Sequence, residues 1–211
     1  MTLLQGNNNM LRLILVSLFS LTTIACSSNV TPISYYQLDG GDFAANKLGK
    51  EARANLIVSN PKLIGHLDNR GIAVEVTPLQ IQSANSHLWS SVPSELLLQA
   101  SVVSLDNSLQ DIRVIPLQLE SAINAELPTY RVDYYLNKFQ ATETGEGIIA
   151  GVVTVYKLEH TIANIVYSQG FTQQVELEED GYPALVQALN TAWLKTNQAV
   201  ANEIKVLIDK G

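Results

Sequence analysis

TYRVDYYLN at residues 129–137 is the stretch that decides the fold, because its side chains alternate in character. Tyr130, Val132, Tyr134 and Leu136 fall on one face, and an arginine, an aspartate and an asparagine fall on the other. Successive residues of a β-strand point to opposite faces of the sheet. The stretch is therefore predicted to be a strand with one buried face and one exposed face.

Two further strand-like segments follow it closely. GIIAGVVTVYKL at 147–158 is apolar on both faces, so it is predicted to lie centrally and to be covered. TIANIVYSQGFTQQVEL at 161–177 is again rich in β-formers, and the residues at 159–161 would form a tight turn before it. Three long strands joined by short turns predict an antiparallel meander.

Shorter elements are predicted between the amino terminus and this meander. YYQL at 35–38 is predicted to be a first strand, and ANLIVSN at 54–60 a second. Residues 61–67 are predicted to form a single helical turn. RGIAVEVTPLQIQ at 70–82 contains Pro78 and is predicted to form two short strands with a break.

Two stretches have the three- and four-residue spacing of amphipathic helices. The first begins at His87, and its apolar positions are Leu88, Val92, Leu96, Ala100 and Val103. The second follows Asp180, a candidate cap, and its apolar positions are Val186, Leu189, Trp193, Val200, Ile204 and Leu207. Together with the meander they predict an α+β fold, an antiparallel sheet with two main amphipathic helices packed on one face.

The amino-terminal residues are predicted to be a signal peptide spanning 1–25. The apolar run at 13–24 follows Arg12 and is much shorter than the about 20 residues that a membrane-spanning helix needs. A positive charge, a short apolar run and the small residue Ala25 are typical of secretory signals. Either Met1 or Met10 is the expected start.

Cys26 is the only cysteine in the chain. The tetrapeptide TIAC at 23–26 resembles the bacterial lipobox, which implies cleavage before Cys26 and attachment of acyl chains such as palmitate to it. Two or more chains, at about 0.8 kcal/mol per buried CH₂, anchor a protein stably. Residues 26–34 would then be the lipidated cysteine and a tether, and residues 35–211 a single domain. Ordinary signal cleavage without a role for Cys26 is the alternative.

Composition and motifs argue against several classes of function. The formal net charge of −7 opposes binding to nucleic acid or capture by an anionic membrane surface. The sequence has no G-x-S-x-G, CxxC or H-E-x-x-H motif, and His66, His87 and His160 are scattered singly. We therefore predict no catalytic residue, no metal site and no cofactor, and a binding or scaffolding role rather than an enzyme.

Four short motifs occur in a recognisable order: YYQL at 35–38, LDNRGI at 67–72, HLW at 87–89 opening the middle helix, and GYPALVQAL at 181–189 followed by Ala192-Trp193. In this order the chain resembles the ABC-type transport auxiliary lipoprotein family, the PqiC-like outer-membrane lipoproteins, over nearly all of residues 26–208. One departure is SSVP at 90–93, where the family often has Ala-Glu-Pro-Leu.

The resemblance implies a non-enzymatic component of an envelope-spanning phospholipid transport system. Its implied partners are MCE-domain proteins that extend from the inner membrane, and the lipoprotein would dock them at the periplasmic face of the outer membrane. Tyr35 and Tyr36, which are aromatic and close to the anchor, are the expected partner contacts, together with Trp89. That the tyrosines simply begin a core-packed strand is the alternative. Self-assembly into a homo-oligomer is compatible with this role.

Two other classes of function stay open at this point. A lipid- or ligand-binding lipoprotein would need an apolar cavity between the sheet and the helices. An assembly factor for outer-membrane proteins would instead form a stable complex with a barrel protein. Co-purified lipid would favour the first class, and a barrel partner the second.

Overall fold

The computed structural model describes residues 31–42, 51–159 and 162–210. Those from Ile33 onward belong to one compact unit. The predicted signal peptide, Cys26 and the first part of the tether lie outside the described residues, so their assignments stay predictions. No helix among the described residues is long and apolar enough to cross a membrane.

The described residues form nine strands, two α-helices and a short 3₁₀ helix. The strands are β1 (Ser34–Tyr36), β2 (Ala54–Val58), β3 (Lys62–Leu63), β4 (Gly71–Thr77), β5 (Gln80–Trp89), β6 (Ile112–Pro116), β7 (Thr129–Ala141), β8 (Glu146–Glu159) and β9 (Ile162–Glu176). The helices are α1 (Pro93–Ser108) and α2 (Tyr182–Lys210), and the 3₁₀ helix is Leu117–Ala122.

The antiparallel meander is confirmed. β7 pairs with β8 along its length, and β8 pairs with β9 in the same manner. The alternation in β7 is confirmed too, because Tyr130, Val132, Tyr134 and Leu136 are each at most 3% exposed. β8 lies centrally between its two partners, as predicted, but it is not covered on both faces: Val153 and Val155 are buried on the helix side, whereas Val152 on the other face is 41% exposed.

The other edge of β7 carries parallel partners. β2, β3 and β4 pair with it in succession from its first residues to Ala141. β6 continues the sheet beyond β2 in parallel, while β5 pairs antiparallel with β4 and parallel with β1. The α+β class is confirmed, and the sheet is mixed rather than wholly antiparallel.

Both helices pack on one face of the sheet, as predicted. The stripe on α2 is buried at its centre, with Leu189 and Trp193 fully enclosed, and half-buried at Val186 and Leu207. The Trp193 Nε1–H donates a hydrogen bond to the Leu97 carbonyl oxygen of α1 at 3.2 Å, which joins the two helices. Gly147 of β8 lets α2 approach closely, because a Cβ there would lie 2.9 Å from the Ala188 Cβ.

Two sequence-based assignments are wrong, the start of the middle helix and the helical turn at 61–67. The middle helix does not open at His87, since residues 87–89 are the last part of β5 and α1 begins at Pro93. Proline fits the first helical position, and it disfavours helical geometry in the residue before it; Val92 is extended accordingly. The helical turn predicted at 61–67 is instead the short strand β3 followed by a turn.

Candidate functional site

The four motifs that carry the resemblance meet at one corner of the domain. β1 lies parallel to β5, with Tyr35 opposite Leu88 and Tyr36 opposite Trp89. The turn before β4 and the first residue of α2 complete the arrangement. We call it the motif corner and define it by seven residues: Tyr35, Tyr36, Asp68, Arg70, His87, Trp89 and Tyr182.

Three neighbouring aromatic side chains connect β1, β5 and the start of α2 in this corner. The Tyr36 Oη lies 2.9 Å from the His87 Nδ1, and the tautomer of the imidazole decides which atom donates. The His87 ring stacks on Tyr182 with 4.0 Å between centroids and 11° between planes. β1, β5 and the start of α2 are therefore held by one hydrogen bond and one stacked pair.

Arg70 joins the turn before β4 to the end of β5. Its Nε donates to the Trp89 carbonyl oxygen at 3.0 Å, and its NH2 group donates to the Ser90 carbonyl oxygen at 3.3 Å. The guanidinium carbon lies 5.3 Å from the centroid of the Tyr35 ring, a cation–π distance. Tyr35 is 58% exposed, so Tyr35 and Arg70 form the solvent-facing part of the corner.

Asp68 caps α1 from outside the helix. Its Oδ1 accepts a hydrogen bond from the Ser94 backbone N–H at 3.1 Å, while Val92 at the N-cap position makes no side-chain cap bond. Asn69 accepts from the Gly71 N–H at 3.1 Å and shapes the turn. Gly71 is needed there because a Cβ would lie 2.5 Å from the Ala84 carbonyl oxygen. The 67–72 motif is thus a helix cap and a tight turn.

The segment after β1 is fastened to both helices. The Asp39 N–H donates to the Asn190 Oδ1 of α2 at 2.9 Å. Gly40 lies against α1, where a Cβ would be 2.8 Å from the Ala100 backbone. The motif corner is therefore held in place from both sides.

The structure brings the three predicted partner contacts together but gives them different surroundings. Tyr35 is exposed and Tyr36 is half-buried against His87. Trp89 is 2% exposed and stacks on Phe139 with centroids 5.2 Å apart, so its ring belongs to the core. Contact of these residues with a partner stays a prediction.

Sequence reasoning missed Arg70, His87 and Tyr182 as members of this site. All three lie within or beside the quoted motifs, but nothing in their spacing shows that they meet. His87 is one of three histidines scattered singly along the sequence, and its contacts with Tyr36 and Tyr182 make it a packing residue.

The face of the sheet opposite the helices carries an open groove of about 550 Å³. It is lined by Lys62, Leu117, Tyr135, Val152 and Tyr156 among others. On the helix side, by contrast, large side chains such as Trp89, Trp193 and Phe139 fill the space against the sheet. A lipid-binding function would therefore have to use a surface groove rather than the packed helix–sheet interior.

The described residues contain no cluster of three or more His, Cys, Asp or Glu side chains that could hold a metal ion. The polar atoms of the motif corner bind one another and the backbone, as the bonds of Asp68, Arg70 and His87 show. These bonds hold the side chains of the corner in fixed positions.

Solved structures place the domain in a known class of fold. A crystal structure of an uncharacterized protein is similar with a TM-score of 0.65 and 21% identity, covering 82% of this chain and 99% of that one. The crystal structure of protein XCC0632 from Xanthomonas campestris is similar with a TM-score of 0.62 and 16% identity, covering 84% and 97%. These likenesses show the fold alone. None of the curated protein sequences matches the chain.

The family is shown by the sequence itself. Residues 36–201 match the family described as the ABC-type transport auxiliary lipoprotein component. The chain belongs to this family of PqiC-like auxiliary lipoproteins, and the resemblance seen in its four motifs is confirmed.

Proposed function

We propose that this protein docks an MCE-type, envelope-spanning phospholipid transport system at the periplasmic face of the outer membrane, without catalysing a reaction. The family match supports an auxiliary role in transport. The observation that carries the docking role is the motif corner, in which an exposed Tyr35 and Arg70 rest on a fixed frame of hydrogen bonds.

The chemistry of this corner suits protein recognition. Tyrosine and arginine are enriched among the residues that dominate binding energy at protein interfaces. The Tyr35 side chain is held over Arg70, and Arg70 is held by two backbone carbonyl groups. Because these groups are already ordered, less conformational entropy is lost on binding.

The proposed anchor fits the position of this surface. Acyl chains on Cys26 would hold the amino terminus at the membrane. Eight peptide steps from Cys26 to Ser34 span at most about 25–30 Å when fully extended. The domain, and with it the motif corner, would therefore stay close to the outer membrane, where the far end of a conduit has to be received.

The test is site-specific photo-crosslinking in intact cell envelopes. A photo-activatable side chain replaces Tyr35 in the tagged, full-length protein, and crosslinked proteins are identified by mass spectrometry. A matched control places it at Ile162, which is 62% exposed at the opposite end of the sheet.

We expect an MCE-domain protein to be captured from position 35 and not from position 162. Capture of an outer-membrane barrel instead would contradict docking and favour the assembly-factor function. Recovery of phospholipid alone would contradict it as well and favour lipid binding. Capture of a second copy of the chain from position 35 would assign this corner to self-assembly.

A further inference from the structure

The outer half of the β4–β5 hairpin projects beyond the sheet. Val74 is the residue of β4 that pairs with β7, opposite Ala141 at the end of that strand. Every residue from 76 to 83 is exposed, on both faces of the hairpin. This tip, residues 76–81, therefore contributes little to the core of the domain.

The tip is apolar where a solvated hairpin would be polar. Leu79 is 100% exposed, Val76 43% and Ile81 40%. No charged residue occurs from 76 to 86. Burying such side chains is favourable by about 25 cal/mol per Å² of apolar surface, and clustered exposed apolar residues mark sites of interaction.

The direction of the chain indicates what the tip meets. β1 runs parallel to β5, with Ser34 opposite His87, so the backbone enters β1 from the side on which Gln80 begins β5. Gln80 and Leu88 pair with Thr77 and Gly71, which are six residues apart on β4, so His87 lies at most about 20 Å from Gln80 along the sheet. The link from Cys26 to Ser34 spans at most about 25–30 Å. The link is therefore long enough for the Cys26 anchor to lie at the level of the tip.

We propose that the hairpin tip inserts Val76, Leu79 and Ile81 into the surface of the lipid bilayer that holds the Cys26 anchor. The proposal rests on the proposed function for the anchor alone. Two attachments, acyl chains and a hairpin, orient a domain where a single flexible link cannot. The motif corner at the other end of β5 would then stand clear of the bilayer, within reach of an arriving partner.

The residues behind the tip suit the headgroup level of a bilayer. A groove of about 380 Å³ there is lined by Leu79 and Ile81 on the apolar side and by Glu75, Lys138 and Gln140 on the polar side. The Gln140 Nε2 donates to the Glu75 Oε2 at 2.8 Å, while the buried Gln140 Oε1 has no hydrogen-bond partner among the described residues.

Charge decides which kind of bilayer contact this is. Several carboxylates lie at the same end of the sheet as the tip: Glu143 in the β7–β8 turn, Glu146 at the start of β8, and Glu178, Glu179 and Asp180 after β9. These carboxylates oppose an anionic surface. The contact is therefore apolar, and binding to vesicles is not expected to increase when anionic lipid is added.

The experiment uses tryptophan quenching by brominated phosphatidylcholine vesicles that contain the full-length, acylated protein. The native Trp89 and Trp193 are 2% and 0% exposed, so they supply a shielded background. Leu79→Trp places a new indole at the tip, and Ile162→Trp is the matched control at the opposite end of the sheet. We expect strong quenching of the indole at position 79 and none of that at position 162.

Absence of quenching at position 79, or equal quenching at both positions, overturns the proposal. The mass of the amino-terminal peptide tests acylation of Cys26 separately. Acylation without quenching at position 79 would contradict insertion of the tip and support the Cys26 anchor. Quenching at position 79 without acylation would support insertion of the tip and contradict the Cys26 anchor.

A second variant provides a readout that needs no anchor. In the chain from residue 26 onward with Cys26→Ser, Leu79→Asp is expected to lower partition onto phosphatidylcholine vesicles about tenfold or more, because a leucine inserted into the bilayer is replaced by a charge. Unchanged partition, or binding that requires anionic lipid and disappears in salt, would contradict apolar insertion.

Discussion

Tyr36 and His87 are 51 residues apart in the sequence, yet the Tyr36 Oη lies 2.9 Å from the His87 Nδ1. This contact, extended by the stack of His87 on Tyr182, joins the first strand of the domain to the start of its last helix. The amino-terminal segment is thereby bound to the helix that covers the sheet. A pull on the tether would be resisted at this point.

Replacing His87 is expected to weaken the domain. His87→Ala removes one hydrogen bond and one stacked pair, so the free energy of unfolding should fall by about 1–2 kcal/mol. His87→Phe retains the stack and should lose only about half as much. Urea denaturation of the three proteins measures this, and equal stability of the alanine and phenylalanine variants would contradict a role for stacking.

Asp68 is expected to act as the cap of α1. Asp68→Ala leaves the Ser94 N–H without its acceptor and should cost about 1 kcal/mol of stability, the usual value for a lost N-cap. Asp68→Asn keeps an acceptor oxygen, so its free energy of unfolding should stay close to that of the original protein. Thermal or urea unfolding checks both, and an asparagine variant as unstable as the alanine variant would show that the hydrogen bond is not the cause.

Tyr134 should make the fold sensitive to alkali. Burial raises the pKa of its hydroxyl above the ordinary value, and that hydroxyl donates to the Asn197 Oδ1 at 2.8 Å. In the unfolded chain the same group ionises at about pH 10. The unfolded state then holds fewer protons than the folded state, so stability falls as pH rises above about 10, by up to about 1.4 kcal/mol per pH unit.

Tyr134→Phe provides the measurement for this dependence. The variant should be less stable near neutral pH, because the Asn197 side chain loses its only hydrogen bond recorded in the described residues. Its stability should nevertheless fall less steeply than that of the original protein above about pH 10. Parallel slopes in urea unfolding would contradict a buried, protonated Tyr134.

The meander could be predicted from sequence because its information is local. Alternation in β7 and two-faced apolarity in β8 each follow from neighbouring residues, and the stripe on α2 follows from its own period. The parallel pairing of β2 with β6 and β7 could not be predicted, because a short apolar run does not encode the direction of its partners. The start of α1 was missed because Leu88, which continues its apolar spacing, belongs to a strand.

The motif corner shows the same limit. Its motifs were identified, but their meeting depends on contacts such as Arg70 with the Trp89 carbonyl group, which no spacing reveals. The exposed Leu79 was also missed, since a break at Pro78 predicts a turn and says nothing of how far it projects.

Trp89 is expected to report on stability rather than on partner binding. Its ring is 2% exposed and packs on Phe139. Trp89→Ala should therefore cost about 3–5 kcal/mol through lost contacts and a residual cavity. Denaturation midpoints measure the loss, and a Trp89→Ala protein of unchanged stability that fails to bind a partner would reverse this assignment.

Tyr35 is the position at which partner binding and stability separate. Because its side chain is 58% exposed, Tyr35→Ala should change the free energy of unfolding by no more than about 0.5 kcal/mol. Truncation of an interface residue that contributes strongly lowers the binding free energy by about 2 kcal/mol or more. The affinity for an MCE-domain partner should therefore fall at least about tenfold. Tyr35→Phe keeps the ring over Arg70 and should bind nearly as well as the original. Co-purification from solubilised envelopes measures partner binding by both variants, with Ile162→Ala as the control. Undiminished recovery of the partner with Tyr35→Ala would show that the motif corner is not the docking surface.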